Sequence, residues 1–181
     1  MNIKKRQKID LSKLDLAENV IDIMRVSKVV KGGRRFKLKA IVAVGNKDGY
    51  VGLGTGKSME TIDAIKKATE AARKNIRKVY VDDKGSLPYE TIGRAGAAKV
   101  MLKPASEGTG VIATETVRNV LELAGIKNLL TKSLGSNAST NLAKATFNGL
   151  CSIYSPEDIY RMRKGDIKAE EQEEENEQDT D

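Results

Sequence analysis

Between Asn19 and Val44, β-branched and polar residues alternate closely enough to predict two strands joined by a tight turn. Val20, Ile21, Ile23, Val26, Val29 and Val30 favour a first strand over Asn19 to Lys31. In a second strand, Phe36, Leu38, Ala40, Val42 and Val44 fall on one face, while Lys37 and Lys39 fall on the other near its start. One face is therefore expected to pack and the other to meet phosphate. Gly32 and Gly33 supply the turn because glycine takes positive φ without a Cβ clash, and that turn is expected to draw Lys28, Lys31, Arg34 and Arg35 together. Asp48-Gly49 closes a second hairpin onto a glycine-rich third strand from Tyr50 to about Gly54, where backbone or a ligand could approach closely.

The period then changes. Ser58 is suited to be an N-cap, with Glu60 and Asp63 in the first turn of a helix and Arg73, Lys74, Arg77 and Lys78 near its end. Ile62, Ile65, Thr69, Ala72 and Ile76 form its stripe, and Ala64, Ala68 and Ala71 are small enough to seat it against a sheet. Asp82 to Pro88 has the composition of a boundary. Beyond it, a strand at Lys99 to Lys103, a loop at Pro104 to Gly110, a helix at Thr114 to Ala124 capped by Gly125 and a strand at Ile126 to Leu134 read as a β-loop-α-β unit. A helix from Thr140 to Ile153 follows, and Ser155-Pro156-Glu157-Asp158 starts a last one with a cap, Pro at N1 and an acid at N3.

Charge sharpens the picture. Of the 181 residues, positions 1–78 carry twenty Lys and Arg against eight Asp and Glu, whereas 165–181 carry one against nine. A first module so basic suits a polyanion, with nucleic acid the leading partner. Seven aromatic residues are too few for recognition built on stacked bases, which leaves backbone contact and shape. There is no histidine and one cysteine, Cys151, so internal disulfides and His-dependent triads are excluded. Cys151, on an apolar helix, is expected to be a buried, inert thiol. No apolar run approaches the length of a membrane span, and no export signal follows the basic N-terminus, so the chain is expected in the cytosol.

Gly49, Gly52, Gly54 and Gly56 before Lys57-Ser58 invite comparison with a phosphate-binding P-loop, but GxxxxGK[ST] requires glycine at position 51, where Val51 stands. A nucleotide-binding enzyme is the alternative this cluster raises. The more economical reading is close strand-helix packing, with Lys57 and the amides at a Ser58 helix start able to hold an RNA phosphate.

The segments RVSKVVKGGRRF, DGYVGLGTGK, KPASEGTGV and VLELAGIKNLLTKSLGS, in that order, resemble the family of the fifth protein of the bacterial small ribosomal subunit, over about residues 15–163. The resemblance implies an α+β chain without catalytic activity, cofactor or metal. Its first domain, at 18–81, would be similar to a double-stranded-RNA-binding fold, an antiparallel three-strand sheet plus helix. Its second, at 82–164, would be an α/β two-layer sandwich with a left-handed β-α-β crossover, where connection rules alone favour a right-handed one. Residues 1–17 are expected to form a flexible basic arm and 165–181 a disordered acidic tail.

The same resemblance places Arg25, Lys28, Lys31, Arg34 and Arg35 on small-subunit rRNA, with Gly32 and Gly33 shaping the turn. Lys37 on its strand, and Lys57 and Ser58 at the expected helix start, join them as RNA-binding candidates from their own positions. The resemblance further implies a role lining the channel by which mRNA enters, beside ribosomal proteins three and four. Gly108, Gly110 and Arg118 would face ribosomal protein four at an interface linked to decoding fidelity, ribosomal protein eight would lie against the second domain, and the chain would not pair with itself. A free double-stranded-RNA-binding regulator is the other alternative. Three departures from the family pattern are Met24, where a polar residue is common, and Thr114 and Glu115, where small residues are common.

Overall fold

β1 (Ala17–Val30), β2 (Gly33–Gly45) and β3 (Tyr50–Ser58) form an antiparallel meander. α1 (Thr61–Arg73) crosses one face of it, and β4 (Arg77–Lys78) adds a short strand beside β3. The computed structural model describes residues 15–164, so the acidic tail and all but the last three residues of the expected arm lie outside the described residues. The first sheet thus has four strands rather than three. Arg77 and Lys78, which the charge pattern assigns to the helix end, pair instead with Val51 and Tyr50. α1 has already closed at Lys74, whose N–H returns to the Glu70 carbonyl, while the next N–H, that of Asn75, returns to the Ala72 carbonyl.

The second sheet contains β5 (Thr91–Ala95), β6 (Ala98–Pro104), β7 (Val111–Ile112) and β8 (Leu129–Ser133), in the order β5-β6-β8-β7. α2 (Glu115–Leu123) links β7 to β8, and these two strands are adjacent and parallel. The crossover therefore starts from β7; β6, its expected start, runs antiparallel to β8. α3 (Ser139–Cys151) packs on β5 and β6, and α4 (Pro156–Lys164) closes the described chain. The expected Ser155 cap is present: Asp158 N–H donates to Ser155 Oγ at 3.0 Å, and Ser155 N–H donates to Asp158 Oδ2 at 3.4 Å. Cys151 is half-buried, not enclosed, because it lies in the last turn of α3.

Both faces of the first sheet are covered near its base. Ala40, Val42 and Val44 are fully buried beneath Ala64, Ala68 and Ala72 of α1. The intervening Ile41 and Ala43 are fully buried as well, in a cluster with Val117, Val120 and Leu121 of α2 and Val100 and Leu102 of β6. The expected division of β2 into one packing face and one phosphate face therefore fails over residues 40 to 44. Each large side chain enclosed there contributes about 1.5–3 kcal/mol relative to exposure, which ties the modules together. Ile62, expected on the α1 stripe, is instead 67% exposed, because the alanines form the contact line.

The β2–β3 hairpin also clamps the modules through backbone. Lys47 N–H donates to the Leu123 carbonyl and Gly49 N–H to the Ala124 carbonyl, both at 3.0 Å, at the C-terminal end of α2. Those carbonyls have no partner within the helix, so the hairpin tip satisfies them. Asn46 shapes the tip, its Oδ1 accepting from Asp48 N–H at 2.8 Å and Tyr50 N–H at 3.0 Å. Asn19 Nδ2 adds a side-chain link to Asn119 Oδ1 of α2 at 2.9 Å.

Candidate nucleic-acid interface

β3 pairs with β2 only as far as Ser58 opposite Leu38, whereas β1 and β2 stay paired out to Val30 opposite Gly33. Their outer halves project as a two-stranded ribbon. Its tip is the two-residue turn Lys31-Gly32, and Gly33 beyond it has φ of 125°. Gly32, expected to take positive φ with it, does not. Arg25, Lys28, Lys31, Arg34, Arg35 and Lys37 are all exposed. Among the described residues, none of them forms an ion pair.

Strand pairing distributes these cations where the sequence suggests a single cluster. Lys28 faces Arg35 and Val26 faces Lys37 on one side of the ribbon; Val29 faces Arg34 and Ser27 faces Phe36 on the other. Positive charge thus lies on both sides and at the tip, so the ribbon can meet phosphates from either side when it enters a groove. The Arg25 guanidinium lies over the Phe36 ring, 3.8 Å from its centroid. This contact, worth about 0.5–1 kcal/mol at an exposed site, orients a cation and screens part of a ring that remains 44% exposed.

The glycine cluster has another role. A Cβ at Gly52, Gly54 or Gly56 would lie 2.4, 2.1 or 2.3 Å from the carbonyl oxygen of Ala72, Ala68 or Ala64. Alternate residues of β3 thus meet successive turns of α1, backbone against backbone. The space a nucleotide would need is filled by the helix. β3 itself continues to Ser58, past the expected end at Gly54, because Lys57 and Ser58 keep pairing with Lys39 and Leu38. Ser58 is therefore no helix cap: Glu60 occupies that position without a side-chain hydrogen bond, and the amides at Thr61 lie three residues further on. The expected phosphate pocket of Ser58 and helix-start amides is not formed, although Lys57 remains exposed on the strand.

Gly108 and Gly110 share one hydrogen-bond acceptor, and Arg118 lies beside the segment that follows them. Gly108 (φ 88°) and Gly110 (φ 76°) both donate backbone N–H bonds of 3.1 Å to Asn128 Oδ1. The Asn128 Nδ2 donates to the Lys84 carbonyl at 2.9 Å, linking this loop to the boundary turn. Arg118 Nη2 lies 3.4 Å from the Val111 carbonyl and 3.5 Å from that of Ala113, which sets it beside the strand that follows Gly110. Asn128, the buried polar hub of this patch, is absent from the expectations. A lone asparagine after a helix gives no sign that its partners lie eighteen to forty-four residues away.

Comparison with known proteins supplies the remaining observation. The family model described as the N-terminal domain of ribosomal protein S5 matches residues 16–80, and that of the C-terminal domain matches residues 93–163. The small ribosomal subunit protein uS5 of Thermotoga maritima is 52% identical over 157 residues, spanning 87% of this chain and 86% of that protein. Its counterpart in Thermotoga petrophila is 51% identical with the same coverage.

Proposed function

The chain belongs to the ribosomal protein S5 family, and from that membership we propose that its β1–β2 ribbon anchors it on rRNA by neutralising phosphates. It is a non-catalytic constituent of the small ribosomal subunit and binds rRNA. Arg25, Lys28, Lys31, Arg34, Arg35 and Lys37 supply the charge, and Gly32 and Gly33 the narrow tip. Lys57 extends the basic surface along β3, and Ser58 stands at its end. The observation that carries this reading is the ribbon itself: six exposed cations without ion pairs among the described residues, on strands that outrun the rest of the sheet.

The same reading gives the second module its neighbours. The patch of Gly108, Gly110 and Arg118 faces ribosomal protein four and contributes to accuracy, ribosomal protein eight lies against the second domain, and the assembled chain helps line the channel through which mRNA enters, near ribosomal protein three. The chain enters the subunit as a single copy. What supports the protein-four contact is the open space around both glycines: apart from each glycine and its chain neighbours, no atom of the described residues would lie within 4 Å of an added Cβ. We take 18–81 and 82–164 as the two modules, joined by a common core. A nucleotide-resolution crosslinking map of intact subunits tests the main point: residues 25 to 37 should join to small-subunit rRNA. A ribbon facing solvent, with no nucleic acid near it, would overturn the proposal.

A further inference from the structure

At the seam between the modules Lys39, Lys57 and Lys144 are brought near one another by strand register and by the contact of β2 with α3, with Asp22 as the opposing charge at Lys39. Lys39 lies on the face of β2 whose next members, Ile41 and Ala43, are fully buried, and its Nζ donates to Thr140 Oγ1 in the first turn of α3 at 2.9 Å. Lys57 is its direct cross-strand neighbour. Lys144 stands one turn beyond Thr140 on the same helix. Burial lowers the Lys39 pKa from its ordinary value, Lys57 and then Lys144 lower it further, and Asp22 is the group acting the other way. α3 adds to the imbalance, since its N-cap position is Ala138 and carries no side-chain cap.

Like charges held near one another against a single opposing carboxylate, Asp22, are unfavourable in the free chain, and that cost is offset when an anion occupies the point they share. We propose that this seam binds a phosphodiester of small-subunit rRNA, with Lys39, Lys57 and Lys144 as its ligands and Thr140 orienting the Lys39 ammonium. The site rests on the reading of the chain as an rRNA-binding protein and adds a second anchor to it. Register places Lys28, Arg35 and Lys37 on the same face as Lys39. A single RNA strand can therefore follow that face for about 13 Å, from Arg35 to the seam.

The test compares amine acylation, read lysine by lysine by mass spectrometry, on the free full-length chain and on small subunits that contain it. Lys39, Lys57 and Lys144 should become protected on assembly and give lysine-to-nucleotide crosslinks. With small-subunit rRNA as the probe, Lys39→Gln/Lys144→Gln should reduce the slope of log K against log salt by about 1. The Lys39→Arg/Lys144→Arg variant should restore it, which separates lost charge from lost fold. Equal acylation in both states, crosslinks to an acidic peptide in place of nucleotides, or an unchanged slope would each overturn the site. If the chain enters subunits with its ribbon lysines protected while the seam lysines stay reactive, the seam alone falls. Failure to enter subunits would remove the rRNA reading and the seam with it.

Discussion

Gly54 and Ala68 meet with no room between them for a side chain: a Cβ on Gly54 would lie 2.1 Å from the Ala68 carbonyl oxygen. The obstacle is helix backbone, which cannot swing aside as a lysine tip can. Gly54→Ala should therefore destabilise the fold by about 3 kcal/mol, at the upper end of overpacking costs. Urea unfolding measures this as a lower midpoint at constant m-value. Gly32→Ala is the control, because nothing lies within 4 Å of its Cβ, and it should change the midpoint little. Equal midpoints for the two variants would refute the packing role of the glycine row.

That row also marks where the sequence can and cannot be read. Glycines at 52, 54 and 56 have the spacing of a strand face, and Ala64, Ala68 and Ala72 that of a helix face, yet only the structure shows the two rows in register. The ribbon is legible because strand alternation and a glycine turn are local properties, and the Ser155 cap because its two partners are three residues apart. β4 and β7, with two residues each, are too short for any period to register. β5, the segment TIGRA, has Gly93 and Arg94 where β-branched residues would announce a strand. Gly93 sits there because α3 comes as close as α1 does to β3: a Cβ would lie 2.0 Å from the Ala145 carbonyl oxygen. Asn128 and the Lys39 seam depend on contacts between distant segments, which neither composition nor periodicity encodes.

Asn128 offers a sharper test of how the Gly108 to Gly110 loop is held. The residue is only 6% exposed, and its carboxamide makes three bonds to backbone, at Gly108, Gly110 and Lys84. Asn128→Ala leaves those groups to find water or remain unpaired, at a cost of about 1–3 kcal/mol. Hydrogen exchange should accelerate at the Gly108 and Gly110 amides more than in β2. Asn128→Asp keeps the acceptor but loses the donor to Lys84, so it should preserve more protection at the glycines than the alanine variant does. Uniform acceleration across the chain would indicate global destabilisation instead.

Arg34 and Arg35 lie on opposite faces of the ribbon, and both are exposed. Exposed charges contribute little to folding, about 0–1 kcal/mol even when paired. Arg34→Glu/Arg35→Glu should therefore unfold within a few degrees of the parent, on the scale of about 2–4 °C per kcal/mol for a chain of this size. Incorporation into small subunits should fall and become more sensitive to salt. A much lower thermal midpoint would make the ribbon a folding element first and an RNA contact second.

Lys39 gives a pH dependence whose sign can be worked out. In the folded chain its pKa lies below 10.5 because of burial and the neighbouring Lys57 and Lys144 ammoniums, with Asp22 acting in opposition. The unfolded chain therefore holds that proton more tightly. Well below the folded pKa both states are protonated, and the charge penalty on folding is fully present. Between the folded value and 10.5 the unfolded state binds more protons, so this group's contribution to stability rises with pH, and the relief is complete above 10.5. Lys39→Gln has no such titration. The unfolding free energy of the parent minus that of the variant should increase as pH is raised from neutrality through that window, while titrations elsewhere in the chain largely cancel in the difference. A flat or falling difference in urea unfolding would show that Lys39 is not held under the strain its neighbours impose. It would also remove the electrostatic reason for an anion at the seam.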